Sequence, residues 1–287
     1  MNEAAQLDPM ASETGFSAFE AIPGALDAGA IVICDHAANA VPADYGTLGL
    51  PREALERHIA YDIGAADVTR ALAAELGAPA VLSTFSRLVI DPNRGLDDPT
   101  LVMRFSDGAI VPGNARADAQ EISRRAARLW APYRDEIAAT VDAMLATGEP
   151  PAIVSIHSFT GVLRGFQRPW KIGILWDRDG RLPRPLIEAL AAEPDLVAAE
   201  VGDNEPYDGA LRGDTIDAIA TARGLANALI EVRQDLIGAK SDALAWAARL
   251  ARLLRPILAD GKNRAPADLG TRAKQTARGR GKPGQAT

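Results

Sequence analysis

Histidine and cysteine are scarce in this chain of 287 residues, which contains three histidines and one cysteine. The single cysteine, Cys34, excludes an internal disulfide, and its place in an apolar run predicts a buried, reduced thiol. The first 27 residues contain no lysine or arginine, and no apolar run approaches the roughly 20 residues of a membrane-spanning helix. We therefore expect a cytoplasmic protein with no conventional export signal and no membrane anchor.

Positive charge is also in short supply, because 31 Lys and Arg residues face 38 acidic residues and the net charge is −7. Seven of these basic residues follow position 261, together with one acidic residue. The acidic remainder argues against nucleic acid as the main partner. The basic segment 261–287 is rich in Gly, Pro and Thr, which predicts a disordered tail. With residues 1–27 as an N-terminal extension, we assign residues 28–260 to a single domain.

Apolar runs and helical patterns alternate along the chain, as in a three-layer α/β domain with a mainly parallel (mixed) sheet and helices on both faces. The predicted strands are 30–34, 80–85, 152–156, 170–176, 196–201 and 226–232. The predicted helices are 51–76, 114–145 with a kink at Pro132, 184–192, a segment from about 213, and 241–258. The last helix is expected to pack an apolar stripe on the sheet, formed by Leu244, Ala248, Leu250 and Leu254.

Two of the three histidines stand where an apolar strand ends. His36 follows the run 30–34, and His157 closes the run that begins at residue 152. Ligands of open α/β sheets bind at the carboxyl ends of the strands, so imidazoles delivered from two strands can converge on one metal ion or one substrate. For either motif alone, a structural histidine is the competing interpretation. The third, His58, is expected at the surface or at a helix cap.

Further polar residues follow the same strands. Asn39 lies three positions after His36, and Asp62 precedes a helical pattern, where an N-cap explains it equally well. Arg87, Asp91, Asn93 and Arg94 fall within nine residues. A guanidinium group suits a carboxylate, so the Asn-Arg pair is typical of a site for an acidic substrate, although a surface turn is the alternative.

A carboxylate in the last strand is the least expected feature of the pattern. Glu231 interrupts the apolar run 226–232, and a buried carboxylate costs several kcal/mol unless it is paired or used. Arg233 lies two residues further on, but burying both charges would make their pairing a poor explanation. The polar loop 202–209, which contains Asn204 and Tyr207, precedes this strand.

In chain order these groups resemble those of the N-formylglutamate amidohydrolase family. The resemblance rests on the motifs DHAANAVP at 35–42, DPNR at 91–94, IHS at 156–158, NEPYDG at 204–209 and IE at 230–231, and it spans about residues 28–258. A more distant similarity joins the chain to zinc carboxypeptidases and related deacylases. The fold that this implies is of the zinc-exopeptidase, phosphorylase/hydrolase-like type.

The resemblance implies hydrolysis of the amide bond of N-formyl-L-glutamate or a similar N-acyl acidic amino acid. Zn²⁺ would be held by His36 and His157, Glu231 would act as the base, and Tyr207 would stabilise the oxyanion. The substrate would be bound by Asn93, Arg94, Arg87 and Asn204.

The third metal ligand stays open, because the carboxypeptidase pattern has Glu where this chain has Asn39, and Asp62 and Asp35 are the other candidates. Two other functions also stay open: a non-catalytic binding protein for an acidic metabolite, and a peptidase or deacylase for another N-acyl amino acid. Whether the enzyme is an amidohydrolase or a peptidase, the loops 96–113 and 158–169 are expected to set its substrate specificity.

Overall fold

A seven-stranded mixed sheet forms the centre of the structure, a computed structural model that describes residues 15–273. Its strands lie side by side in the order β1-β3-β2-β6-β11-β9-β10. They are β1 (Phe19–Ile22), β2 (Ala30–Cys34), β3 (Ala80–Ser83), β6 (Ala152–Phe159), β9 (Ile172–Leu175), β10 (Val201–Asp203) and β11 (Asn227–Arg233). Two small hairpins lie outside the sheet and pair β4 (Phe105–Ser106) with β5 (Ala109–Ile110), and β7 (Val162–Leu163) with β8 (Phe166–Gln167).

Helices cover both faces of this sheet. The α-helices are α1 (Arg52–Leu55), α2 (Ala65–Leu76), α3 (Ala119–Arg125), α4 (Ala131–Leu145), α5 (Pro183–Ala191) and α6 (Lys240–Ala259). Single π-helical turns occupy Ala126–Trp130 and Ile216–Ala220. Short 3₁₀ turns occupy Ala43–Tyr45, Pro112–Asn114, Ala198–Glu200, Thr221–Arg223, Gln234–Leu236 and Gly261–Asn263. None of the helices within residues 15–273 is long and apolar enough to cross a membrane.

The alternation of side chains along the strands divides the core into two layers. Ala152, Val154 and Ile156 of β6 join a cluster with α2, α5 and α6 on one face. Ile153 joins the cluster of α4 on the other face, and because successive strand residues point to opposite faces, His157 shares that face. The predicted three-layer α/β fold is confirmed.

Strand direction brings the polar residues of the sequence motifs together. β3, β2, β6 and β11 run parallel, whereas β1 and β9 are antiparallel to their neighbours β3 and β11. His36 follows β2, His157 lies near the end of β6, and β11 places Glu231 directly opposite His157. The carboxyl ends of three adjacent strands therefore carry the candidate site.

Several predicted helix and strand boundaries are wrong. The pattern 51–76 divides into α1 and α2, and the residues between them form a loop. The pattern 114–145 begins as helix only at residue 119 and continues through the π turn at Ala126–Trp130 into α4. Pro132 does not break the helix, and it lies directly after this π turn, where the regular i→i−4 hydrogen bonding is already interrupted. Of the predicted strand 196–201 only Val201 belongs to a strand, β10, and the segment from 213 forms π and 3₁₀ turns.

Other corrections concern the last helix and the two ends of the domain. Leu244 and Ala248 are exposed on α6, whereas Leu250 and Leu254 are buried beside Trp246 and Ala247. β1 lies in the predicted N-terminal extension and pairs with β3, so the domain begins before residue 28. Residues 261–273, assigned to a disordered tail, pack on the domain through defined hydrogen bonds. The rest of that prediction falls on residues 274–287, outside the described residues.

Candidate active site

Two histidines converge on one buried carboxylate. Nδ1 of His157 lies 2.9 Å from Oδ2 of Asp62, and Nδ1 of His36 lies 3.4 Å from the same oxygen. The backbone N–H of Ser158 also donates to this oxygen, at 3.2 Å. One ligand atom from each of His36, Asp62 and His157 lies within 4.8 Å of the other two, and all three residues are buried. This group has the composition and spacing of a metal site.

A second carboxylate stands behind each histidine. Nε2 of His36 lies 2.7 Å from Oδ1 of Asp91, and Nε2 of His157 lies 3.2 Å from Oδ2 of Asp35. Hydrogen bonds of this kind fix the tautomer and the ring orientation of metal-binding histidines. In the neutral, metal-binding form of each ring, they place the single proton on Nε2 and leave Nδ1 facing Asp62.

Asp35 is itself held by donors from three elements. The Tyr133 hydroxyl of α4 donates to Oδ1 at 3.1 Å, and the Thr215 hydroxyl donates to the same oxygen at 2.5 Å. The Ser155 hydroxyl of β6 lies 3.3 Å from Oδ2. Asp35 is completely buried, so this carboxylate supports His157 from behind. The interpretation of Asp35 as the third metal ligand is therefore not favoured.

The electrostatics of the cluster favour ionised carboxylates around a protonated histidine. Burial alone would lower the pKa of His157, but hydrogen bonds to Asp35 and Asp62 outweigh this and raise the pKa to about 10. Burial also opposes ionisation of Asp62, yet the adjacent His36 and His157 hold the pKa of its carboxyl far below the usual range. The protein alone thus keeps His157 as an imidazolium at neutral pH.

Glu231 faces the same cavity without a partner for one of its oxygens. Its Oε2 is buried and makes no hydrogen bond to any residue of the described range 15–273. Burial raises the pKa of Glu231 to about 7, and Asp62 adds to this effect, whereas the positive charge on His157 opposes it. A carboxylate with a pKa near neutrality can accept and return a proton at physiological pH.

The three predicted substrate-binding residues of the DPNR region have different roles. Arg87 contacts Asp91 at 3.0 Å and Asp62 at 3.4 Å, so it belongs to the buried charge network. Oδ1 of Asn93 accepts a hydrogen bond from the Thr215 N–H at 3.1 Å. Within residues 15–273, the Arg94 side chain contacts only neutral groups, the Asn93 carbonyl at 2.8 Å and the Thr100 hydroxyl at 3.3 Å. Of the two arginines, Arg94 is therefore the one that forms no ion pair within residues 15–273 and can bind an anionic group of a ligand.

Tyr207 and Asn204, the two residues predicted from the loop 202–209, also have different roles. Tyr207 lines the cavity, and the guanidinium group of Arg168 stacks on its ring at 4.9 Å. Oδ1 of Asn204 accepts hydrogen bonds from the N–H groups of Trp176 and Gly209, at 2.9 and 3.0 Å. Asn204 therefore organises its own loop and is not among the residues that line the cavity, so its contact with substrate stays a prediction.

The Asn39 side chain is bound to the end of α1, and the structure favours Asp62 over Asn39 as the third ligand of the candidate metal site. The Asn39 side chain donates to the Leu55 carbonyl at 2.9 Å. The N-cap interpretation of Asp62 is wrong, because the N-cap of α2 is Gly64 and the Asp62 side chain contacts both histidines. The sequence indicated Asp62 only weakly as a metal ligand, because a single acidic residue before a helix is equally typical of an N-cap.

The cavity has a volume of about 240 Å³ and combines polar and apolar walls. Beside the cluster it is lined by Glu231, Arg94, Asn93 and Tyr207. Sequence reasoning gave no role in the site to several further lining residues, and only Asp208 and Gly209 among them fall within a motif. These residues are His58, Leu175, Asp208, Gly209, Leu211, Asp214 and Leu229. Phe159 and Thr160, which also line the cavity, come from the loop 158–169 that was expected to set specificity.

Metal binding to this cluster should release a proton. Zinc binds neutral imidazole, whereas below its pKa of about 10 His157 is an imidazolium that carries a second ring proton. The apparent affinity for zinc should therefore rise with pH, by up to about tenfold per unit, and level off above that pKa. Titration calorimetry in buffers of different ionisation enthalpy measures the released proton.

The matched control for this titration is His58→Gln, because His58 lines the cavity but pairs with Asp107, at 3.3 Å. This variant should retain the proton release. A zinc affinity that stays constant from about pH 6 to about pH 8 would contradict the assignment of His157 as a ligand.

Known proteins resemble this chain in both sequence and structure. The family model described as N-formylglutamate amidohydrolase matches residues 28–238. A solved gene product of Agrobacterium tumefaciens is 34% identical and superposes with a TM-score of 0.78, over 85% of this chain and 96% of its own. The N-formylglutamate amidohydrolase of Ralstonia eutropha JMP134 is 21% identical, with a TM-score of 0.63 over 84% and 99% of the two chains, and shares the fold.

No curated protein matches the sequence. The family model nevertheless covers most of the chain, including both histidines, Asp62 and Glu231. The chain belongs to the N-formylglutamate amidohydrolase family and is an amidohydrolase.

Proposed function

We propose that this chain hydrolyses the amide bond of N-formyl-L-glutamate or a closely similar N-acyl acidic amino acid, with a divalent metal ion held by His36, Asp62 and His157. The observation that carries the proposal is the buried, unpartnered Oε2 of Glu231 in the same cavity as this cluster. A carboxylate kept in this state has a task in the reaction, because burying it without a partner costs free energy. The products are the free amino acid and formate or another small acid.

The donor set of the cluster suits zinc. Two imidazole nitrogens and one carboxylate oxygen are typical of catalytic zinc sites, which keep a further position for water or substrate. When bound, zinc lowers the pKa of a water molecule toward neutrality and polarises the carbonyl oxygen of the acyl group. The protein contributes the orientation of both rings through Asp91 and Asp35, at 2.7 and 3.2 Å from the two Nε2 atoms.

Glu231 is proposed as the general base and then the general acid. Its carboxylate takes the proton of the attacking water and passes it to the amide nitrogen as the C–N bond breaks. The pKa of about 7 suits both transfers, since the group is neither a strong acid nor permanently protonated at neutral pH. Tyr207, on the loop beside it, is proposed to donate a hydrogen bond to the oxyanion that forms on the acyl group.

Arg94 is proposed to bind a carboxylate of the substrate. It lines the cavity and, among the residues that the structure describes, contacts only neutral groups, whereas Arg87 is paired with Asp62 and Asp91. The Asn93 side chain lines the cavity beside it and adds an amide. A guanidinium group forms two parallel hydrogen bonds with a carboxylate, which orients the substrate as well as holding it.

A second candidate substrate class follows from the apolar wall of the cavity. Phe159, Leu175, Leu211 and Leu229 line the cavity together with the polar groups. These side chains favour an N-acyl amino acid with an apolar group, either in its side chain or in its acyl chain. Family membership favours hydrolysis over the binding-protein alternative, and a cavity of about 240 Å³ favours a single small substrate over a peptide.

Glu231→Gln should lower formate release from N-formyl-L-glutamate by about 10² or more, with substrate binding retained. The amide keeps the shape of the carboxylate but cannot take a proton from water. The assay is run on protein treated with a chelator and again after zinc is restored. Glu188→Gln, an exposed change on α5 on the opposite face of the sheet, is the matched control.

Three outcomes of this assay separate the alternatives. Zinc-dependent release by the unmodified protein supports the proposal. Release that persists in Glu231→Gln removes Glu231 from the mechanism. No release in either metal state, combined with hydrolysis of N-acyl amino acids that carry apolar groups, moves the assignment to the second substrate class.

Arg94→Gln should raise the KM for N-formyl-L-glutamate by about tenfold to a hundredfold, because a charged hydrogen-bonding pair contributes about 1.5–3 kcal/mol. The kcat should change less, since Arg94 binds the substrate away from the bond that breaks. Arg94→Lys keeps the charge without the planar fork and should give an intermediate KM. An unchanged KM in Arg94→Gln would rule out this arginine as the carboxylate site.

A further inference from the structure

Residues 264–273 form a C-terminal arm. It follows α6 and the 3₁₀ turn Gly261–Asn263, and it packs along the domain. The Ala265 carbonyl accepts a hydrogen bond from Arg181, and the Ala267 N–H donates to the Gly224 carbonyl at 2.8 Å. The arm reaches the segment after β9 at Arg272, whose backbone N–H donates to Asp177 at 2.8 Å. These residues lie beyond the part of the chain that the family model matches, residues 28–238.

The Arg272 guanidinium group joins two loops near the cavity. It contacts both carboxylate oxygens of Asp208, at 2.8 and 3.2 Å, in a bidentate pair. It also donates to the Trp176 carbonyl at 2.9 Å and to the Asp177 carbonyl at 3.0 Å. One side chain therefore holds the segment after β9 and the loop after β10 together.

The loop that Arg272 holds carries Tyr207. Asp208 is its direct neighbour in sequence, and both residues line the cavity. From inside the loop, Asn204 accepts hydrogen bonds from Trp176 and Gly209. The loop also lies very close to β9, because a Cβ atom on Gly173 would fall 1.9 Å from the Glu205 carbonyl oxygen. Tyr207 is 43% exposed, and its ring packs on the guanidinium group of Arg168, so its position depends on this contact and on the loop that carries it.

We propose that Arg272 is a positioning residue, which sets the place of the Tyr207 hydroxyl in the active site by holding Asp208 and the segment Trp176–Asp177. The inference rests on the proposed function for the role of Tyr207 as an oxyanion donor. The arm thereby adds to this chain a determinant of turnover that its sequence motifs do not contain.

The expected effect is on kcat and not on stability. Arg272 is 40% exposed and Asp208 is 60% exposed, and exposed ion pairs contribute little to folding. Displacing a catalytic group by about 1 Å can nevertheless cost up to about 10² in rate. Arg272→Ala should therefore lower kcat by about tenfold with a small change in KM, and Arg272→Lys should restore part of the loss, since it keeps the charge but not the fork.

A double-mutant cycle shows whether Arg272 acts through Tyr207. Arg272→Ala and Tyr207→Phe are made singly and together in the full chain, and kcat is measured on the substrate that the unmodified protein hydrolyses. In the Tyr207→Phe background, Arg272→Ala should cause little further loss. An equal loss of kcat in both backgrounds, or no loss in the single Arg272→Ala variant, would overturn the inference.

Hydrogen exchange provides a readout that does not depend on the reaction. In Arg272→Ala, exchange of the Gly209 and Ala210 amides should become faster, while amides of β11 keep their rates. Unchanged exchange at both amides would overturn the inference whatever the kinetics show. If Tyr207→Phe retains full hydrolysis, the proposed role of Tyr207 fails, and hydrogen exchange still decides whether the arm holds the loop.

The matched control is Arg264→Ala, at the other end of the arm. Arg264 donates to the Pro150 carbonyl at 2.9 Å and contacts Glu149 at 3.1 Å, next to the start of β6. Its loss should lower Tm without lowering kcat, because those contacts lie outside the Tyr207 loop. A similar fall in kcat in Arg264→Ala would mean that the whole arm acts through stability, and would overturn a specific role for Arg272.

Discussion

The carboxylate of Asp62 lies between two imidazoles that come from neighbouring strands, and the placement of the other buried polar groups depends on it. Three ionisable side chains cannot be buried together unless each has a partner, because desolvation of an unpaired charge is costly. Asp91 and Asp35 supply those partners from behind the two rings, and Arg87 balances Asp62 and Asp91. The cluster is therefore preorganised by its surroundings before any ligand binds.

The candidate site combines a rigid part and an adjustable part. His157 and Glu231 face each other through the pairing of β6 with β11, so sheet register fixes their separation. Arg94 and Tyr207 lie on loops, whose positions depend on hydrogen bonds to turns and to the C-terminal arm. β6 and β11 thus carry His157 and the proposed base, and loops carry the groups proposed to bind the substrate and the oxyanion.

The sequence predicted most of the fold and about half of the site, and the difference has a physical cause. His36, His157 and Glu231 could be identified because each breaks an apolar strand pattern, and such patterns report burial directly. Asp62 and Asp35 could not be assigned, since their roles depend on which side chains the fold brings near them. Asn39 was assigned to the metal and Asn204 to the substrate by motif position, but backbone groups bind both side chains: the Leu55 carbonyl of α1 accepts from Asn39, and the Trp176 and Gly209 N–H groups donate to Asn204. The contacts of Arg272 join residues far apart in the chain, which no local pattern records.

The central claim, that His36, Asp62 and His157 form a metal site supported from behind by Asp91 and Asp35, is tested most directly by anomalous diffraction at the zinc edge from crystals that contain zinc. The account predicts a peak at about 2.0–2.2 Å from Nδ1 of His36, Nδ1 of His157 and one oxygen of Asp62. Both Nε2 atoms should keep their contacts with the supporting carboxylates. A zinc peak elsewhere with this cluster empty, or coordination through either Nε2, would contradict the claim.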